Sequence, residues 1–128
     1  SKDLERLKKL GITHIVNLSS YDNEFPTTFT YHRIEVEDLP DQEIFSRLED
    51  AVKFVEEGLK GGKVLVHCNA GQSRAGSIVT AFLVKSRNLS VDDALKFARS
   101  KRKQNKVLPN SGFMKQLREY EKKLKNST

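Results

Sequence analysis

The sequence has too few cysteines for an internal disulfide and no apolar run long enough for a membrane-spanning helix. One cysteine among 128 residues cannot form an internal disulfide, and the chain has no tryptophan and only three prolines. The longest mostly apolar run, residues 78–84, falls far short of the ~18 residues that a membrane-spanning helix needs. Residues 1–10 are too rich in charge for a signal peptide. We therefore expect an intracellular protein without a membrane partner.

The length and composition indicate one folded domain. At 128 residues the chain can bury a single substantial core, so we treat residues 1–128 as one domain. An apolar fraction of 37% with regular periodicity argues against disorder.

The charge is unbalanced toward lysine and arginine. These residues number 23 against 17 acidic residues, which gives a formal net charge of +6. Much of the excess lies in residues 101–106. No aromatic residue is interleaved with these cations, so we interpret the segment as a solvated basic loop and expect no nucleic-acid partner.

The most informative segment is residues 63–84, KVLVHCNAGQSRAGSIVTAFLV. An apolar run leads into His67 and Cys68, and a second apolar run begins after Arg74. This order predicts a strand, a glycine-bearing loop and the start of a helix. The N–H groups of such a loop, together with the helix N-terminus, suit a phosphate dianion and favour a thiolate. Arg74 lies six positions after Cys68, where its planar guanidinium can grip two phosphate oxygens.

These residues match the motif of a known family. The stretch HCNAGQSRAG resembles the His-Cys-x5-Arg motif of the cysteine-dependent protein phosphatases, and in particular that of the dual-specificity group. Three further segments resemble elements of that group, in the same order: residues 11–19, 31–41 and 108–121. The closest resemblance is to the small atypical members without a kinase-docking domain, especially those of the stress-activated kinase pathways.

The resemblance implies a role for each residue of the motif. Cys68 would attack phosphorus as a thiolate and form a cysteinyl-phosphate, and Arg74 would bind the substrate and hold the transferring phosphoryl group. The loop would bind the phosphate through Asn69, Ala70, Gly71, Gln72 and Ser73. His67, whose side chain points away from that of Cys68 on a strand, would steady the loop. Asn110 would hold the C-terminal turn near it.

The same reaction needs a proton donor for the departing oxygen. We assign this role to Asp38, because the segment VEDLPD resembles the acid-bearing loop of the family. Asp38 also lies 30 residues before Cys68 (68 − 38 = 30), a separation that suits an adjacent strand. Glu37 and Asp41 remain the alternatives, and either could be only a solvated acid or a helix N-cap.

Two positions depart from the family pattern. The residue after the arginine is usually serine or threonine, whose hydroxyl helps the thiolate to leave, and here it is Ala75. Ser73 or Ser77 could partly replace that hydroxyl, but slow turnover is one expectation. Residues 101–105 stand where relatives often have a shorter loop with Arg-Pro, and Arg102 is the candidate contact for a second phosphate or an acidic flank of the substrate.

Apolar periodicity predicts helices that alternate with strands. We expect helices over 3–10, about 41–60, from 74, over 90–100 and from 111, and strands over 12–18, 29–36 and 63–67. The pattern predicts an α/β domain like that of the dual-specificity phosphatases, with a central, mostly parallel sheet flanked by helices on both faces. The candidate loop would leave the carboxyl end of a central strand. The strand or hairpin that usually precedes the first helix in the family is missing from residues 1–128, which would leave one sheet edge open.

Local signals mark the ends of several helices. Gly11 should stop the first helix. Ser46 and Glu49 have the spacing of a capping box, which could restart the helix of about 41–60 at that point. Ser90, three residues before Asp93, should open the fourth helix.

The leading hypothesis is a protein phosphatase that acts on phosphotyrosine and on phosphoserine or phosphothreonine, without a cofactor or a metal. Its partners would be phosphoprotein substrates, with kinases of the MAP-kinase pathways as candidates, in the cytoplasm and, as a second location, the nucleus. One alternative is the same chemistry on phosphoinositides or RNA 5′ phosphates. The absence of lysine from residues 69–73 counts against this alternative. Another is a low-turnover scaffold that binds phosphoproteins or a kinase, which Ala75 favours. Sulfur transfer of the rhodanese type also uses a cysteine loop, but Asp38 and the segment 108–113 favour the phosphatase.

Overall fold

The helices and strands follow one another in the order that the periodicity predicts. The computed structural model describes residues 2–19, 22–68, 73–101 and 107–126, with the backbone alone for residues 2 and 3. In chain order the elements are α1 (Lys2–Lys9), β1 (Ile12–Asn17), β2 (Thr30–Arg33), α2 (Phe45–Gly61), β3 (Lys63–His67), α3 (Arg74–Ser86), α4 (Val91–Ser100) and α5 (Ser111–Asn126). α1 ends as predicted before Gly11, whose φ of 79° costs glycine little. Within these residues no helix combines the length and the apolarity needed to cross a membrane.

Three parallel strands form the sheet of the described residues, in the order β2-β1-β3. β1 is the central strand, since Ile15 pairs with Tyr31 on one side and with Leu65 on the other. β3, which leads to the candidate loop, pairs with β1 alone in this sheet, so the prediction of a central strand for it is wrong here. An apolar sequence indicates that a strand is largely buried, but it does not reveal the lateral position of the strand. The partial exposure of Val64 and Val66 agrees with an edge position.

Helices cover both faces of the sheet. α1 lies over the face that carries Ile15 and Leu65, which line the space beneath that helix. α2 lies over the other face, where the ring of Phe54 packs against those of His14 and His32, with centroids 5.5 and 5.2 Å away. This arrangement confirms the predicted α/β fold with helices on both faces of a parallel sheet.

α3 occupies the centre of the helical layer, as its nearly continuous apolar sequence predicts. Eight of its thirteen residues are buried, and the helix contacts α2, α4 and α5. The buried residues are Ala75, Gly76, Ser77, Ile78, Thr80, Ala81, Leu83 and Val84. Because α3 begins at Arg74, this packing fixes the position of the arginine backbone.

α2 starts later than predicted and without the predicted capping box. The helix begins at Phe45, and Ile44 before it makes no side-chain cap. The side-chain oxygen of Gln116, on α5, accepts hydrogen bonds from the backbone N–H groups of Ile44 and Phe45 at 2.6 and 2.8 Å. Ser46 instead donates its hydroxyl to Glu43 at 2.8 Å. A partner that is distant in the sequence thus satisfies this helix end, which no local pattern can reveal.

The last two helices begin where the sequence predicts. The hydroxyl of Ser90 accepts a hydrogen bond from the N–H of Asp93 at 3.1 Å and caps α4. On α5, the side chains of Phe113, Leu117 and Tyr120 are buried. They hold one face of α5 in the core and fix the position of its first turn.

Tyr120 carries a hydroxyl into this core. The residue is 2% exposed, and its oxygen has no hydrogen-bond partner in the part of the chain that the structure describes. We expect Tyr120→Phe to raise the free energy of unfolding by about 1 kcal/mol, because the change removes an unsatisfied polar group and keeps the shape of the ring.

The gain should also depend on pH. Burial, with smaller effects from Glu49 and Glu56, raises the pKa of Tyr120 from 10.0 to about 12. The unfolded parent ionises above its lower pKa while the folded parent stays protonated, so the parent loses stability between about pH 10 and pH 12 and the variant escapes this loss. Denaturant unfolding of both proteins, followed by circular dichroism across this range, measures the difference. A variant that is less stable than the parent at pH 7 would show that the hydroxyl is satisfied.

Candidate active site

Cys68 lies buried directly after β3, with 5% of the residue exposed. The carbonyl of His67, before it, accepts a hydrogen bond from the N–H of Leu18 at 2.7 Å, which ties the end of β3 to the end of β1. Cys68 therefore stands at the carboxyl edge of the parallel sheet, where α/β domains bind their ligands. The predicted phosphate-binding residues Asn69, Ala70, Gly71 and Gln72 lie outside the described residues. The description resumes at Ser73, directly before α3.

Arg74 begins α3, and two backbone carbonyls anchor its guanidinium. Nη1 donates to the carbonyl of Leu18 at 3.1 Å and to that of Val36 at 3.2 Å. Leu18 follows β1 and Val36 follows β2, so one nitrogen joins two strand ends to the start of a helix. No other nitrogen of this guanidinium bonds to a described residue, so Nε and Nη2 keep a planar pair of donors for an anion.

A set of hydrogen bonds through Asn110 joins Asp38 to the start of α3. The side-chain amide of Asn110 donates to Oδ1 of Asp38 at 2.9 Å, and its backbone N–H donates to Oγ of Ser73 at 2.9 Å. The side-chain oxygen of Asn110 accepts the N–H of Phe113 at 2.9 Å and so caps α5. Ser73 is buried and Asp38 is exposed. The structure thus brings together three residues that the sequence predicts for the site: Asp38, Ser73 and Asn110.

The two alternatives to Asp38 are placed differently. Glu37 and Asp41 are both exposed, and neither carboxylate bonds to another residue of the described chain. The backbone N–H of Glu37 donates to the side chain of Gln42 at 3.3 Å, which closes the turn between them. Of the three carboxylates, Asp38 is therefore the one that is linked to the start of α3.

The position after Arg74 offers no hydroxyl. Ala75 is buried, with 1% of the residue exposed. Ser77, one of the two serines that could replace the missing hydroxyl, is also buried and donates to the carbonyl of Ser73 at 2.6 Å. Its hydroxyl is therefore engaged within α3, which leaves Ser73 as the remaining candidate.

His67 faces a different space from Cys68. Its side chain is exposed and lines a cavity of about 780 Å³ between α1 and the sheet, together with Ile15 and Leu65. Neither Cys68 nor Arg74 lines this cavity. The ring of His67 makes no hydrogen bond to a residue that the structure describes, so its support of the loop stays a prediction.

Sequence reasoning missed the groups that hold the site together. The carbonyls of Leu18 and Val36 anchor Arg74, and the side chain of Gln116 bonds to the start of α2. A backbone carbonyl carries no signal in the residue type, and no local pattern distinguishes this glutamine from others on a helix. Arg102, the candidate contact for a second phosphate, lies outside the described residues.

The sequence matches one protein family along almost its whole length. The family described as "Dual specificity phosphatase, catalytic domain" matches residues 1–123. "Dual specificity protein phosphatase 19" of Mus musculus is 43% identical over 121 residues, which are 93% of this chain and 54% of that protein. The chain thus spans about half the length of this relative.

Two further proteins extend the likeness in sequence and in fold. "MAP kinase phosphatase with leucine-rich repeats protein 3" of Dictyostelium discoideum is 43% identical over 121 residues, which are 92% of this chain and 14% of that protein. The crystal structure of the human tyrosine phosphatase-like serine/threonine/tyrosine-interacting protein has a TM-score of 0.90 at 31% identity, and the match covers 97% of this chain and 85% of that one. The α/β arrangement is therefore shared with solved members of the same fold.

Proposed function

The chain belongs to the dual specificity phosphatase catalytic-domain family, and on that premise we propose that it is a protein phosphatase for phosphotyrosine and for phosphoserine or phosphothreonine. The observation that carries the proposal is the anchoring of Arg74, whose two carbonyl bonds leave a planar pair of donors for an anion. Further support comes from Asn110, which links the carboxylate of Asp38 to the helix start. Together with Cys68, these groups supply a nucleophile, an anion clamp and a proton donor.

The proposed reaction has two steps. First, the thiolate of Cys68 attacks phosphorus, the bond from phosphorus to the leaving oxygen breaks, and Asp38 gives that oxygen its proton. Second, water attacks the cysteinyl-phosphate and passes a proton to the carboxylate of Asp38, and the phosphorus–sulfur bond breaks to release phosphate and restore the thiolate. Arg74 holds the phosphoryl oxygens in both steps and stabilises the charge of each transition state.

Phosphoproteins of signalling pathways are the proposed substrates. One relative is named as a dual specificity protein phosphatase and another as a MAP kinase phosphatase, so kinases of the MAP-kinase pathways are candidate substrates. The absence of lysine from residues 69–73 counts against a phosphoinositide headgroup. Because a thiolate nucleophile needs a reducing compartment, we expect the protein in the cytoplasm, with the nucleus as a second location.

Phosphate release from a peptide that carries both phosphotyrosine and phosphothreonine tests this function, beside a panel of phosphoinositides and a 5′-phosphorylated RNA. We expect release of both peptide phosphates and little release from lipid or RNA. Cys68→Ser should abolish release but keep binding of the phosphopeptide or of tungstate, because the anion-binding groups survive. Appreciable turnover by this variant would remove Cys68 from the mechanism.

Arg74→Lys is the contrasting variant in the same assay. It should lose binding as well as turnover, since a lysine ammonium has neither the planar fork nor the reach to bond both carbonyls. Isothermal titration with tungstate separates the two defects. Near-normal binding by Arg74→Lys would contradict the clamp.

The acid assignment makes a separate prediction. Asp38→Asn should lose activity on alkyl or peptide phosphates by a large part of the ~10²–10⁴-fold that general acid catalysis contributes. Its activity on an aryl phosphate with an acidic phenol should change much less, because that leaving group departs without a proton. Asp41→Asn, in the same segment, is the matched control and should behave as the parent does on both substrates. The opposite pattern would move the acid to Asp41.

A low-turnover scaffold is the second candidate, and the buried Ala75 is the observation that favours it. Without a hydroxyl at this position, breakdown of the cysteinyl-phosphate should be slow, so rapid-quench experiments should show a burst of leaving group before the steady rate. Ala75→Ser should raise the steady rate and shrink the burst. Ala81→Ser, which also places a hydroxyl inside α3, is the control. No burst in the parent and no gain in Ala75→Ser would remove the support for a scaffold.

A further inference from the structure

One aromatic side chain lies on the outer surface of α4. Phe97 is 39% exposed, whereas the other phenylalanines of the described residues are buried or half-buried. A single exposed apolar side chain is common on protein surfaces, so the ring alone does not indicate a binding site. The inference depends on the groups that surround this ring.

Two cations lie over the ring of Phe97. The guanidinium carbon of Arg87 is 6.0 Å from the ring centroid, and Nζ of Lys101 is 5.4 Å from it. Arg87 directly follows α3 and Lys101 directly follows α4. Both cations are exposed, so the ring attracts them while their charges still face solvent. We call Arg87, Phe97 and Lys101 the α4 patch.

The charges of the α4 patch are not neutralised by another described residue. The ion pairs in the described part of the chain involve other residues, and neither Arg87 nor Lys101 takes part in one. Their positions beyond helix C-termini would by themselves favour cations, but they do not account for an exposed ring between the two charges. Two cations around an apolar centre are complementary to a segment that carries carboxylates around an apolar side chain.

The two carboxylates of α4 limit where such a segment can bind. Asp92 is paired with Arg118 at 3.0 Å. Asp93 is exposed in the first turn, four residues before Phe97 and therefore on the same face of the helix. An acidic segment is thus repelled at the beginning of α4 and attracted at its end, near Lys101.

The attractive end of α4 lies close to the start of α3. Nε of Arg99, in the last turn of α4, donates to the carbonyl of Val107 at 3.0 Å. The side chain of Val107 in turn lies 3.0 Å from where a Cβ on Gly76 would be, and Gly76 comes two residues after Arg74. A protein partner typically covers about 800 Å² of a surface, so a protein bound at Arg74 is wide enough to contact the α4 patch as well.

An acidic peptide suits the α4 patch better than a nucleic acid does. Bases bind exposed aromatic residues by stacking on the face of the ring. At Phe97 two cations already lie over the ring, and a base would have to displace them. A peptide needs no stacking, because its carboxylates bind the cations and its apolar side chain packs against the exposed part of the ring.

We propose that the α4 patch is a docking site for an acidic segment, with an apolar side chain, of the phosphoprotein substrate. The inference rests on the proposed function, because the segment belongs to the protein that is dephosphorylated. Docking outside the catalytic groups selects among phosphoproteins that present the same phosphorylated residue to Cys68, and it raises the local concentration of that residue at the site.

Fluorescence anisotropy with a labelled peptide tests the docking site on the free protein. The probe has aspartates and glutamates around one leucine and carries no phosphate. We expect Phe97→Ala to weaken its binding about tenfold and Lys101→Gln about threefold, with further weakening as salt is added. Asp93→Asn should strengthen binding about twofold, because it removes the repelling charge. Leu59→Ala and Lys60→Gln are the matched controls, since they remove an exposed apolar side chain and a cation at the end of α2.

Steady-state kinetics then show whether docking serves the substrate. One phosphopeptide is joined through a flexible Gly-Ser linker to the acidic segment, and its control has asparagine and glutamine in place of the acids. The acidic form should have a KM about fivefold lower at an unchanged kcat, because the docking contact is the same in the bound substrate and in the transition state. In Phe97→Ala the two peptides should have the same KM, and activity on a small aryl phosphate should equal that of the parent.

The outcomes separate this proposal from the proposed function. Equal peptide binding by the parent and Phe97→Ala, or an equal loss in Leu59→Ala or Lys60→Gln, would overturn the docking site and leave the phosphatase standing. Tighter binding of single-stranded RNA or of phosphatidylserine vesicles than of the peptide, if lost in Phe97→Ala, would overturn the acidic peptide as the partner. Peptide binding that depends on Phe97, without phosphate release from any phosphopeptide, would overturn the phosphatase and with it the assignment of the segment to a substrate.

Discussion

The geometry of the site depends on two hydrogen bonds from one nitrogen of Arg74, to the carbonyls of Leu18 and Val36. The backbone ladder between β1 and β2 ends where the N–H of Ile34 donates to the carbonyl of Asn17. Just beyond that point, the guanidinium of Arg74 bonds to the segments that follow β1 and β2 and holds both against the start of α3. Because the donor is charged, these bonds are stronger than those of a neutral ladder. The proposed anion clamp therefore also fixes the point at which residues 37–44, the segment that carries Asp38, begin.

α5 shows how a helix can serve the core and the site at once. Its inner side chains, Phe113, Leu117 and Tyr120, are buried, and full burial of an apolar side chain contributes about 1.5–3 kcal/mol. That burial orders the helix, so the polar side chains of Asn110 and Gln116 extend from a backbone that is already fixed. Residues 37–44, the segment that carries Asp38, contain no helix or strand and are held by hydrogen bonds to Asn110 and Gln116.

What could be predicted from the sequence was local in the chain. The segment 63–84 carries the strand β3 and the helix α3, and Ser90 caps α4 through a residue three positions away. These elements were correctly predicted, and residues 69–72 of the predicted loop lie outside the described residues. The predicted start of α2 was wrong, because the group that caps this helix is the side chain of Gln116, which lies on another helix. Within the sheet of the described residues, the predicted central position of β3 was wrong, because apolar content does not reveal which strands are neighbours. The anchors of Arg74 could not be predicted at all, since they are backbone carbonyls of Leu18 and Val36.

The bond between Asn110 and Asp38 also suits both steps of the proposed cycle. In the first step the carboxyl donates a proton, and in the second it takes one from water. Oδ1 accepts the amide N–H whether the carboxyl is protonated or ionised, so the group need not rotate between the two steps. Oδ2 then gives the proton away and receives it back in one place. Because the same asparagine is bonded to Ser73, directly before α3, that place is fixed relative to the start of α3 in both steps.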